Sequence, residues 1–119
     1  MNSPPFSAMI RPSPGAEARM HVVVWEFTVR SEHIAAFEAA YGPAGAWVAL
    51  FRRAPAWLGT ELLAGGSGRY LTLDRWRDRA AYDAFRQSAA ADYAALDAAC
   101  EALTAAEREI GAFDTVDAP

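Results

Sequence analysis

At 119 residues with 53% hydrophobic side chains, the chain has material for one compact core and no second domain. A formal charge of −4 and a pI near 5.1 exclude the basic face that neutralising phosphates requires, so nucleic acid is not an expected partner. No apolar run approaching the roughly 20 residues of a bilayer span stands out and no basic start precedes a greasy segment, so the expectation is a cytoplasmic protein with no membrane partner.

Residues 1–19 contain Pro4, Pro5, Pro12 and Pro14 among Ser, Gly and mixed charge, which predicts a loosely ordered tail. The folded domain is expected over 20–117, opening at Met20. From His21 to Arg30 the residues are β-branched and aromatic on both alternating sets, the pattern of a strand covered on two sides. Ser31 can cap a helix in which Ile34, Phe37 and Tyr41 recur every three or four residues. Gly42-Pro43 interrupts it, a second piece carries Trp47, Leu50 and Phe51, and Pro55 ends that.

Trp57 to Leu63 reads as a strand, Gly65 to Gly68 as a turn needing positive φ, and Arg69 to Trp76 as the returning strand. In the latter, Tyr70, Thr72, Asp74 and Trp76 alternate with Leu71, Leu73 and Arg75. Asp78 opens a helical stretch whose stripe runs through Tyr82, Phe85, Ala89, Tyr93, Leu96, Cys100 and Leu103, with a kink expected near Ser88. Ile110 to Val116 suggests a closing strand of weak alternation. Cys100, the single cysteine, excludes an intrachain disulfide and reads as a small buried hydrophobe.

The order strand, helix, strand, strand, helix, strand, with the first helix broken in two, predicts an α+β fold of ferredoxin-like βαββαβ type on a four-stranded antiparallel sheet. Both helices cover one face of that sheet. The opposite face is expected to carry Val23, Trp25, Phe27 and Val29 and to be sealed by a second copy of the chain as a homodimer. Glu26, Thr28, Thr72, Asp74 and Trp76 are then expected to face the helices together.

The segments Val22-Val23-Val24-Trp25-Glu26-Phe27, Trp47 to Arg53 leading into Pro55-Ala56-Trp57-Leu58-Gly59-Thr60-Glu61, Leu73-Asp74-Arg75-Trp76, and Ala81-Tyr82-Asp83-Ala84-Phe85 resemble the antibiotic biosynthesis monooxygenase domain proteins of the dimeric α+β barrel superfamily. The resemblance implies a dimeric α+β barrel with one ligand cavity per subunit. One branch of that family oxidises aromatic anthrones with molecular oxygen and no metal or flavin. Trp76 and Tyr82 match its strand-end tryptophan and helix tyrosine, while its asparagine four residues before the tryptophan is Thr72 here. A haem-opening branch places an asparagine, a tryptophan and a histidine where this chain has Glu26, Trp76 and Arg86. Two of those three are absent, which argues against haem degradation.

The expected catalytic set is Trp76, Tyr82, Glu26 and Asp74, with Thr72, Phe51, Phe85 and Arg86 binding substrate. Two carboxylates in one dry cavity would raise one pKa and supply a base for an acidic C–H or phenolic proton. The competing reading of each carboxylate is a structural ion pair with Arg52, Arg75 or Arg86. Trp76 and Tyr82 would form a flat wall, or equally a packed corner of the core. His21 is expected to be exposed or at the dimer seam and His33, in the first turn of a helix, to be exposed; the two do not make a metal site. The functional expectation is a cofactor-independent monooxygenase acting on a small planar enolisable aromatic or quinone-like molecule. The alternatives are a non-catalytic dimer that binds a small hydrophobic ligand, and an interaction module whose open sheet face meets another protein.

Overall fold

The structure is a computed structural model and describes residues 19–116. The expected tail lies outside the described residues except at Arg19, as does Asp117 at the other boundary. The elements are β1 (His21–Thr28), α1 (Ile34–Tyr41), α2 (Ala46–Phe51), β2 (Trp57–Gly66), β3 (Arg69–Trp76), α3 (Arg79–Ser88), α4 (Ala90–Cys100) and β4 (Ala106–Asp114), with single 3-10 turns at Ser31–His33 and Glu101–Leu103. The strands form one antiparallel sheet in the order β2-β3-β1-β4, the ferredoxin-like arrangement.

Local chemistry accounts for most boundaries. Asp78 caps α3, its carboxylate accepting a hydrogen bond from the Ala81 N–H at 2.8 Å. Ser67 and Gly68 both take positive φ, 56° and 77°, the two-residue turn whose twist suits a hairpin. A side chain at position 68 would strike the Val29 carbonyl oxygen, its Cβ falling 2.2 Å away, so glycine is required there. The 3-10 turn at Ser31 begins without a side-chain cap, unlike the expectation for Ser31. The long stripe breaks at Ala89, one residue past the expected kink. Ser31–Phe51 has the length and composition of a membrane span, contrary to the expectation from sequence. Here it is divided at Gly42–Gly45, and Phe37, Tyr41, Trp47, Leu50 and Phe51 are spent in the core.

The phase of β1 differs from expectation. Val23 and Phe27 are buried, and the Phe27 ring lies 5.3 Å from Phe37 and 5.0 Å from Tyr41 on the overlying helix. Val23, Trp25 and Phe27 therefore face the helices, and Val29, just past the strand, joins the same core. Glu26 faces the other way. Because β1 is apolar on both sides, alternation does not choose between them; the helix aromatics do, by offering ring partners to Phe27 worth roughly 0.5–1.5 kcal/mol per pair beyond burial.

The open face consequently carries Val22, Val24 and Glu26 of β1, beside Leu71, Leu73 and Arg75 of β3. Leu63 pairs with Leu71 and Phe113 with Val22, and these two remain 43% and 53% exposed. Cross-strand partners share a face, so the patch is continuous across the sheet. Charge on this face is paired: Arg75 meets Glu61 at 2.6 Å, and Glu26 is held by Arg69 at 2.5 Å and Arg108 at 2.6 Å.

Candidate active site

Between the sheet and the helices lies a cavity of about 170 Å³. Its walls are aromatic: Trp25 and Phe27 from β1, Tyr41 from α1, Trp47 and Phe51 from α2, and Tyr93 from α4. Its polar groups are Thr60, Thr72, Asp74 and Arg86, with Asp97 and Glu107. The strand register explains the floor. Asp74 on β3 sits between Thr60 on β2 and Val23 on β1, and Thr72 sits between Leu62 and Trp25.

Asp74 is 8% exposed. Its Oδ1 accepts a hydrogen bond from the Thr60 hydroxyl at 2.9 Å, and the same hydroxyl accepts from the Trp57 indole N–H at 3.1 Å. The indole N–H can only donate, so the Thr60 oxygen accepts there and its one proton goes to the carboxylate. Burial pushes the Asp74 carboxyl up from 3.8 to about 6, with the Thr60 hydrogen bond working in the opposite direction. No arginine pairs with Asp74 among the described residues. This is a base poised near neutrality, in a wall of rings.

Arg86 is the cation of the site. Its guanidinium carbon stands 3.9 Å from the centroid of the Tyr93 ring, and Nη1 donates to the Tyr82 hydroxyl at 3.0 Å. Burial pushes the Tyr93 hydroxyl up to about 12 despite Arg86 and raises that of Tyr82 as well, so both phenols stay protonated near neutral pH. Burial also raises the Tyr41 phenol, reinforced by Cys100, Glu107 and Asp97. Trp47 lines the cavity, its buried indole N–H close enough to the Tyr41 phenol to oppose that rise without closing a hydrogen bond of normal geometry.

Of the expected site residues, Asp74, Thr72, Phe51 and Arg86 meet in this cavity. Glu26 does not. It lies across the sheet, where Arg108 and then Arg69 hold its carboxyl below the usual range, so it shares no cavity with Asp74. Glu26 and Trp76 thus project to opposite sides, against expectation. Trp76 is fully buried behind the lining, its ring 5.6 Å from Phe51, 5.3 Å from Tyr82 and 4.8 Å from Phe85. Tyr82 and Phe85 also stand outside the lining, Tyr82 touching the site only through Arg86. In place of a Trp76–Tyr82 wall, the rings offered to a guest are those of Trp25, Trp47 and Tyr93.

The histidines also depart from expectation. His21 is 4% exposed, with Nδ1 2.9 Å from Asp114 Oδ1 across the β1–β4 pair, and His33 is half-buried. Among the described residues no group of three or more His, Cys, Asp or Glu side chains is placed to hold a metal ion. Thr60, Trp25 and Trp47 are site residues that the sequence reasoning missed. Thr60 falls opposite Asp74 only because an irregularity between Ala64 and Gly66 shifts the β2–β3 register by one residue; counted straight from the glycine turn, Glu61 would take that place.

A family model described as antibiotic biosynthesis monooxygenase matches residues 20–96. No curated protein gives a match. Among solved structures, a putative antibiotic biosynthesis monooxygenase from Bordetella bronchiseptica is 24% identical, with a TM-score of 0.65 over 82% of this chain and 97% of its own. SnoaB from Streptomyces nogalater, described as a cofactor-independent oxygenase and solved in this instance as a point mutant, is 21% identical, with a TM-score of 0.60 over 84% and 95%. A putative antibiotic biosynthesis monooxygenase from Nitrosomonas europaea is 14% identical, with a TM-score of 0.62 over 82% and 90%. At these identities the likeness is one of fold.

Proposed function

The chain belongs to the antibiotic biosynthesis monooxygenase family, and on that footing we propose that it oxidises a small planar phenolic or enolisable aromatic molecule with molecular oxygen, without a cofactor, in the cavity beside Asp74. The observation that carries this reading is a buried carboxylate, Asp74, with the Thr60 hydroxyl as its side-chain partner and no cationic one among the described residues, facing an aromatic-walled space where burial pushes its pKa up.

Asp74 takes the acidic proton of the bound guest, leaving an electron-rich enolate or phenolate. Arg86, fixed by Tyr93 and Tyr82, offers positive charge to that anion. The anion passes one electron to dioxygen, and the resulting radical and superoxide combine to form a C–O bond. The peroxide then loses a second ring hydrogen, and its O–O bond breaks to leave a carbonyl. One oxygen atom stays in the product and the other leaves as water, using the proton that Asp74 had taken. The protein contributes position, desolvation and the first proton transfer.

The cavity is smaller than the roughly 300–1,000 Å³ of sites for drug-sized ligands, which favours guests of one or two rings. We also propose that the open sheet face is covered by a second copy. Leu63, Leu71, Leu73 and Phe113 form the kind of apolar patch that marks an interface.

An oxygen electrode tests the enzyme reading with a panel of one- and two-ring hydroquinones and naphthols, no metal or flavin being added. The expected result is oxygen consumption that falls about 10²- to 10⁴-fold in Asp74→Asn. No uptake across the panel by well-folded protein removes the enzyme. A non-catalytic ligand-binding protein is the second reading, favoured by the retreat of Trp76 into the core. It predicts thermal stabilisation by such molecules without turnover.

A further inference from the structure

The charge of the cavity walls constrains the guest, and the constraint rests on the reading above in which that guest becomes an anion. Asp74, Asp97 and Glu107 are set against one guanidinium, Arg86, in the lining. Arg86 is engaged by Tyr93 and Tyr82, on the side where Asp74 acts. Asp97 and Glu107 both act on the Tyr41 phenol, and Asp97, one helical turn beyond Tyr93, acts on that ring's hydroxyl as well. Neither forms an ion pair or a side-chain hydrogen bond among the described residues. The Glu107 carboxyl is raised by burial and then by Asp97 and Glu101, which adds a third carboxylate to the neighbourhood.

The same end is aromatic. The Trp47 ring stands 5.9 Å from Tyr41 and 5.0 Å, edge on, from Tyr93. The Trp47 indole N–H points at the neighbouring Tyr41 phenol, whose pKa it holds down, so what Trp47 offers a guest is its ring. Forming a phenolate in a net-negative space is unfavourable unless positive charge arrives with it. A cation over aromatic faces, edged by carboxylates, supplies that charge and is bound by both groups.

We infer that the guest carries a positively charged nitrogen, seated against Trp47 and Tyr41 with Asp97 and Glu107 beside it, while its phenolic or enolic end reaches Asp74. Asp97 and Glu107 are then specificity-determining residues. Because both are solvent-exposed, their pull is moderate, and the aromatic faces supply the rest.

The test is calorimetric titration of the full chain with three phenols of matched size: tyramine as the cation, para-cresol as the neutral form and para-hydroxyphenylacetate as the anion. Tyramine is expected to bind roughly tenfold more tightly than para-cresol at low salt, with the anion weakest. Added salt should narrow the advantage. Asp97→Asn with Glu107→Gln should bring the tyramine affinity down to that of para-cresol for the same variant. Equal affinities, a reversed order, no binding by any of the three, or a tyramine advantage indifferent to salt overturns the inference. The salt series decides should the double variant not fold. Oxygen uptake is not read, so a protein that binds tyramine best yet consumes no oxygen fails only the enzyme reading, and one that oxidises neutral phenols without preferring tyramine fails only this one.

Discussion

Thr60 and Asp74 face each other across the β2–β3 pair, the hydroxyl donating at 2.9 Å to a carboxylate that has no other side-chain partner among the described residues. One oxygen of Asp74 is thereby restrained, and its second is free for a guest. The Trp57 indole behind Thr60 fixes the direction of the donated proton.

Removing that donor should raise the Asp74 pKa further, since burial then acts unopposed. In Thr60→Val the acid limb of the oxygen-uptake profile is expected to move to higher pH by on the order of one unit. Thr60→Ser, which keeps the hydroxyl, should restore it. A pH–rate profile that stays put in the valine variant refutes the relay.

Stability should carry the signature of the same carboxyl. Between 3.8 and about 6 the folded chain holds a proton on Asp74 that the unfolded chain has released, so this group's contribution is full at low pH and is lost as pH rises through the window. Two units correspond to at most about 3 kcal/mol. Asp74→Asn has no charge to bury and is expected to melt above the wild type at about pH 7, with the gap closing below about pH 4. Melting temperatures of the pair across pH check this, because the other titrating groups cancel in the difference.

Trp76 is predicted to matter for folding more than for turnover. It is fully buried against Phe51, Tyr82 and Phe85, and Trp76→Ala should cost about 3–5 kcal/mol in urea titration. Trp76→Phe keeps an aromatic core and should retain oxygen uptake within a few-fold per folded molecule. A well-folded phenylalanine variant with uptake down a hundredfold would put Trp76 in contact with substrate.

The open face yields a prediction of assembly. Leu73 lies at its centre on β3, beside Val24 of β1 and Glu61 of β2. Burying each leucine under a second copy is worth about 1.5–3 kcal/mol, so Leu73→Asp should convert a dimer into monomers in light scattering. A wild-type chain that is monomeric at micromolar concentration contradicts the proposed cover.

The element order, the hairpin and the broken first helix are legible in the sequence because glycine, proline and periodicity mark them locally. The face of β3 is legible too, since Tyr70, Thr72, Asp74 and Trp76 differ in kind from Leu71 and Leu73, and the first set is indeed the buried one. In β1 both faces are apolar, and the sole charge, Glu26, carries no sign of which side it takes. The helix aromatics that take Phe27 send Glu26 to the other face, where Arg69 and Arg108 are brought alongside from the two neighbouring strands by a register that only the assembled sheet defines. Trp25 is lost from the expected site by the same ambiguity. Trp76 misleads for another reason: Phe51 and Phe85 come from separate helices and close over it, a meeting no local pattern announces.

The link between α1 and α2 sets limits on how this molecule could be altered. A Cβ on Gly45 would lie 2.2 Å from the Ala40 carbonyl oxygen and 2.4 Å from that of Ala39, both rigid backbone atoms, so the corner admits no bulkier residue without prying the two helical pieces apart. Trp47 and Phe51 hang directly from that corner. Reshaping the chamber for a larger guest is therefore a matter of trimming rings at 47 and 51, and lengthening or decorating the bend would displace the whole far wall instead.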